Sequence, residues 1–160
     1  MDQGMTELAA DIPVFQALLR RIEADAGEPL VLSSPRSFEL LMPETLPVRA
    51  TVHPSDTALV IDIYIYNAQL VTGDLRANLC QGLLLLNHAG LRGRPFALGL
   101  DRRDFVMLTA SLPLNDALLD DFTLHMDYLC SQAREIRELI EAMTLANAQI
   151  SVDMMVDAAG

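Results

Sequence analysis

The chain has no lysine and no tryptophan, only two cysteines, and few aromatic residues, 5% of its 160. Each shortage argues against a class of function. Without lysine the 11 cations are all arginine, set against 22 carboxylates, and the net charge is −11. Nucleic-acid binding needs clustered cations to replace the counterions of phosphate, so this balance argues against it and against anionic membrane surfaces. Aromatic residues are not interleaved with cations, so a stacking platform for single strands is also a poor fit. Cys80 and Cys130 lie in apolar helical sequence and read as free, buried thiols in a reducing compartment. No apolar run reaches the roughly 18 residues of a membrane span. The first residues, MDQGMTELAAD, lack the basic and apolar regions of a secretory signal, so a cytoplasmic location is expected.

Catalytic patterns are missing as well. His53, His88 and His125 fall in three different predicted elements, and no paired His or Cys ligand spacing occurs, so neither a metal nor a cofactor is expected. There is no G-x-S-x-G, and the apolar neighbours of both cysteines raise a thiol pKa rather than lower it. Gly90-Leu91-Arg92-Gly93 follows a helix and precedes a strand, the wrong context for a phosphate loop. Asp62 is a single carboxylate in an apolar strand; with no acid or base partner it reads as a polar residue on the less buried sheet face. The expectation is a protein that is not an enzyme.

What the chain does have is apolar sequence, 51% of its residues, with a mean hydropathy of +0.27. Combined with strong acidity, this suggests exposed apolar surface kept in solution by charge. The length suits one domain, taken as residues 1–146. Residues 147–160 read as an acidic tail with no strong apolar period, able to extend the last helix briefly or to stay disordered.

Asp11 is placed to cap a helix over 12–25, with Pro13 in its first turn and Val14, Phe15, Leu18, Leu19 and Ile22 on one face. Short strands follow at 30–32, 37–42 and 48–53, separated by turns. TALVIDIYIY, residues 57–66, is the strongest strand, with Leu59, Ile61, Ile63 and Ile65 on a core face. A helix over 74–90 comes next, then a hairpin with strands at 95–100 and 105–112 joined by the charged tip DRRD. Asn115 or Asp116 caps a long last helix, whose stripe of Leu118, Phe122, Met126, Leu129, Ala133, Ile136, Ile140 and Met143 faces the core. Glu135, Arg137, Glu138 and Glu141 are expected to face water. The order is a helix, three or four strands, a helix, a two-strand hairpin and a helix. Hairpin-type connections predict an α+β fold with an antiparallel sheet.

The helix 74–90, DLRANLCQGLLLLNHAG, stands apart. Leu75, Leu79, Leu83 and Leu86 form one stripe, yet Leu84 and Leu85 lie outside it, so the C-terminal half is apolar most of the way round. It is either wrapped inside its own domain or seated on its own sheet with one face and on a second chain with the other. The proline-flanked strands within 30–42 form a candidate edge for an extended peptide added as a strand.

NLCQGLLLLNHAG, followed by FALGLDRRDFVMLTASLPLND, resembles the second half of the small acidic chaperones of bacterial type III secretion, the Tir-chaperone (CesT-like) family. The resemblance covers about residues 12–143. Within that family the chain is most similar to the multi-effector chaperones of plant-pathogen systems, the HpaB type. One departure is a segment rich in proline: Pro29, Pro35, Pro43, Pro47 and Pro54. The resemblance implies the order α-β-β-β-α-β-β-α and a cytoplasmic homodimer formed through the second helix. It also implies binding of the extended N-terminal region of secreted effector proteins and presentation of that cargo to the secretion ATPase. Neither a cofactor nor nucleic acid nor membrane insertion is implied. On helix position and strand alternation, the effector-binding surface is expected at Val14, Leu18, Leu30, Leu32, Phe38, Leu40, Val60 and Tyr64. The dimer interface is expected among Leu75, Leu79, Leu83, Leu84 and Leu86. The alternative is a dimeric α+β interaction or sensory module with another partner.

Overall fold

A computed structural model describes residues 9–90 and 93–158; at 89–90 and 146–158 it describes the backbone alone. Helix α1 (Pro13–Ala26) is followed by strands β1 (Val31–Ser34), β2 (Ser37–Met42), β3 (Leu46–Val52) and β4 (Ala58–Asn67). Helix α2 (Gly73–Gly90), strands β5 (Phe96–Leu100) and β6 (Phe105–Pro113), and helix α3 (Asp116–Ala158) complete the chain. The α+β class with an antiparallel sheet and flanking helices is the one expected. Four strands precede α2, because both the 31–34 and 37–42 segments pair.

All six strands form one sheet in the order β1-β2-β3-β4-β6-β5, and every neighbouring pair is antiparallel. Alternation sorts the residues onto two faces. Leu59, Ile61, Ile63 and Ile65 of β4 are buried, as are Val48, Ala50 and Val52 of β3 and Val106, Leu108 and Ala110 of β6. They form one core with Phe15, Leu18 and Leu19 of α1, and with Leu118, Phe122, Met126, Leu129, Ala133, Ile136 and Ile140 of α3. Helix α3 lies along β4 and β6 and against α1, while α2 sits beside β5. The opposite face carries a row in register across five strands, Glu39, Arg49, Asp62, Thr109 and Ala97. Its polar members satisfy one another: Arg49 pairs with Glu39 at 2.9 Å, and Thr109 Oγ1 donates to Asp62 Oδ1 at 2.7 Å.

The prolines fit the sheet. Pro35 sits in the two-residue turn between β1 and β2, and Pro43 opens a 3₁₀ turn between β2 and β3. Pro47 pairs with Leu41 of β2, one residue before β3 begins to pair with β4 at Val48, so its missing N–H costs that ladder nothing.

Two local expectations are corrected. Ile12, not Asp11, is the N-cap of α1 and has no side-chain cap bond; Pro13 at the first helical position fixes where the helix begins. Arg137 is half-buried rather than turned freely to water. Its Nε donates to the Ile65 carbonyl at 3.0 Å and its Nη1 to the Glu44 carbonyl at 3.2 Å, tying α3 to the end of β4 and to the β2–β3 corner. At the start of α3, the Leu118 N–H donates to Asn115 Oδ1 at 3.2 Å, so Asn115 is the cap.

Candidate functional site

A groove of about 950 Å³ opens where α1 ends and β1 begins. Three local events create it. Helix α1 stops at Gly27, whose φ of 72° is the left-handed geometry of a C-cap and whose N–H donates to the Glu23 carbonyl at 2.9 Å. Pro29 follows and has no N–H to offer. The Leu30 N–H donates to Glu23 Oε1 at 3.1 Å and is therefore engaged away from the sheet. The chain joins the ladder only at Val31, opposite Glu39. Beyond that point the outer edge of β2, Leu40–Met42, has no strand beside it among the described residues.

The groove is apolar with a charged rim. One wall comes from helices: Ile22 and Ala26 of α1 with Phe122 and Met126 of α3. The floor comes from Leu30, Leu40, Met42 and Val48. The other wall belongs to the far sheet face, with Val31, Leu41, Pro47, Tyr64 and Phe105. Tyr64 and Phe105 meet edge to face with ring centres 6.0 Å apart. Arg103 sits over the Phe105 ring at 5.8 Å and pairs with Asp101 at 3.5 Å. Arg49 on this wall is held firmly charged, chiefly by its hydrogen bonds to Glu39. Asp25, Glu28 and Asp127 line the helix side.

The eight expected contact residues divide. Leu30, Leu40 and Tyr64 line the groove together. Leu18 and Phe38 are interior, where Phe38 stacks between Phe15 and Phe122 at 6.1 and 6.5 Å. Leu32 is half-buried against the core, Val14 is half-buried on α1, and Val60 lies on the far sheet face outside the groove. Sequence reasoning missed Val31 and Leu41, exposed to 63% and 72%. The signal was available: in SFELLM, Leu41 is an apolar residue on the solvent phase of the alternation.

The leucines of α2 also divide. Leu79 and Leu83 are buried in the core, Leu75 and Leu86 are packed partly against it, and Leu84 and Leu85 stand 69% and 63% exposed. The stripe therefore faces the chain's own sheet, and the surplus points outward. At the C-terminal end of α2, Asn87 bonds to β5 at Leu98 through both ends of its amide.

Among the described residues no group of three or more His, Cys, Asp or Glu is placed to hold a metal ion, and no helix is long and apolar enough to cross a membrane. Cys80 and Cys130 are free, and burial pushes the Cys130 thiol pKa up.

No family model matches the sequence, and no curated protein does. Solved structures do match in fold. A chain of the ExsC–ExsE complex superposes with a TM-score of 0.69 at 20% identity, over 81% of this chain and 96% of that one. A chain of the HopA1–SchA chaperone–effector complex does so with a TM-score of 0.62 at 17% identity, over 78% and 94%. A chain from the Yersinia pestis type III secretion chaperone SycH, in complex with a stable fragment of YscM2, gives 0.53 at 16% identity, over 73% and 94%. The fold is thus one found in complexes of secretion chaperones with their partners.

Proposed function

We propose that the protein is a type III secretion chaperone that binds the N-terminal region of effector proteins in an extended state. The observation that carries this reading is the apolar groove beside an unpaired stretch of β2. A backbone that lies in it gains hydrogen bonds from the open edge of Leu40–Met42. Its successive side chains point to the two sides of the sheet, one set toward Leu30 and Leu40 and the other toward Tyr64. Ordering a disordered segment costs entropy, so the buried apolar area has to be large, which fits the exposed Val31 and Leu41 on the same rim. The fold shared with solved chaperone complexes supports the same reading.

In this reading the chaperone is a cytoplasmic homodimer joined through α2, with Leu84 and Leu85 at the seam. It serves several effectors, as the HpaB type does, and presents them to the secretion ATPase without needing a nucleotide or metal of its own. The test is co-expression with effectors from the same genome, with and without their N-terminal regions, followed by measurement of complex mass. A complex of two chaperones and one effector that requires the N-terminal region supports the proposal. A monomer that captures no unfolded segment overturns it.

A further inference from the structure

The charges around the groove are not balanced. Glu39 on the sheet wall is neutralised by Arg49 at 2.9 Å, and Arg21 of α1 is engaged by Asp120 at 2.8 Å. Asp25, Glu28 and Asp127 on the helix side have no cation within salt-bridge distance among the described residues. Two of them, Asp25 and Glu28, also stand in an unfavourable field. Asp25 lies in the last turn of α1, which contains no basic residue, and Glu28 follows the cap. A helix C-terminus carries partial negative charge, so cations are favoured there and carboxylates are not. The free protein thus concentrates negative potential along one wall of an apolar groove, while the two cations that line it, Arg49 and Arg103, sit on the opposite wall and are paired with Glu39 and Asp101.

Resting on the reading of the groove as a site for extended segments, we infer that it selects segments in which lysine or arginine stands beside apolar side chains. The apolar residues fill the floor at Leu30 and Leu40, and the cations meet Asp25, Glu28 and Asp127. A neutral guest leaves the three carboxylates as they were. An acidic guest adds to the repulsion and is rejected, which gives the groove a specificity that apolar contact alone lacks.

The test uses three labelled synthetic peptides with one alternating leucine–serine core, flanked by lysine, serine or glutamate, and fluorescence anisotropy with the full chain. At low salt the lysine-flanked peptide is expected to bind about tenfold tighter than the glutamate-flanked one, the gap narrowing as salt screens the rim. The triple variant Asp25→Asn, Glu28→Gln, Asp127→Asn should close the gap. A control variant that removes the same charge elsewhere, Asp74→Asn, Glu138→Gln, Glu141→Gln, should leave most of it. Equal affinities for the three peptides, or a gap that survives the groove variant, overturn the charge inference alone. If none of the three peptides binds, the extended-segment reading of the groove falls, and the inference with it.

Discussion

The side-chain amide of Asn87 pairs with Leu98 as a neighbouring strand would. Its Nδ2 donates to the Leu98 carbonyl and the Leu98 N–H donates to its Oδ1, each at 2.6 Å. One side chain of α2 thereby occupies the outer edge of β5 at Leu98, the kind of cover that edges need if they are not to recruit other chains. At the opposite edge, β1 covers only part of β2. One edge of the sheet is thus engaged at Leu98, and the groove lies at the other, where β2 outruns β1.

Removing the amide tests this cover. Asn87→Ala leaves both backbone groups of Leu98 without their partner, and an unsatisfied buried group costs about 1–3 kcal/mol. Urea unfolding should show that loss. An unchanged midpoint means that the amide does not hold the edge.

The split of leucines on α2 predicts two different outcomes on one helix. Leu84→Asp combined with Leu85→Asp should give folded monomers by sedimentation if α2 is the dimer seam. Leu83→Ala should instead cost about 2–5 kcal/mol in chemical denaturation, as a cavity in the core does, and leave the mass unaltered. A double variant that sediments like the wild type removes α2 from the interface.

Tyr64→Asp is expected to weaken cargo binding with the dimer intact. The substitution takes the ring from Phe105 and puts a carboxylate on the groove wall, where an apolar guest has to be desolvated against it. Calorimetry with a bound effector segment measures the loss. An unaltered affinity would take this wall out of the binding surface.

Asp101 makes the β5–β6 hairpin sensitive to acid. Its carboxyl is held below the ordinary carboxylate value, first by the hydrogen bond from the Phe105 N–H and then by that from the Arg103 N–H. A lowered folded pKa means that the carboxylate stabilises the fold above its unfolded value of about 3.9. That contribution is lost as pH falls through the folded value. The melting-temperature difference between the wild type and Asp101→Asn should therefore be present at neutral pH and shrink below about pH 4. A difference that is constant down to the acid limit contradicts the assignment.

Asp25→Asn should stabilise the free protein. It removes a carboxylate from the negative end of α1, an effect of about 0.3–1 kcal/mol. Thermal melts of the unliganded chain measure it. A lower melting temperature means that Asp25 has a partner the free chain needs.

The sequence alone determined which elements form and which of their faces are apolar. The alternation of Leu59, Ile61, Ile63 and Ile65 defined the core side of β4, and the stripe from Leu118 to Ile140 defined that of α3; both are buried as read. These patterns are legible because each depends only on the period of its own element and on water's rejection of apolar area. Tertiary structure decided the rest. Periodicity places Leu83 and Leu84 on different sides of α2, yet only the docking of that helix beside β5 says that Leu83 goes inward and Leu84 outward. Asn87 is an ordinary helix-end amide until β5 arrives next to it. The groove depends on how far β1 accompanies β2 before Pro29 and the engaged Leu30 N–H take the chain away. Edges, grooves and unpaired charges are relations between elements distant in the chain, and no local period encodes them.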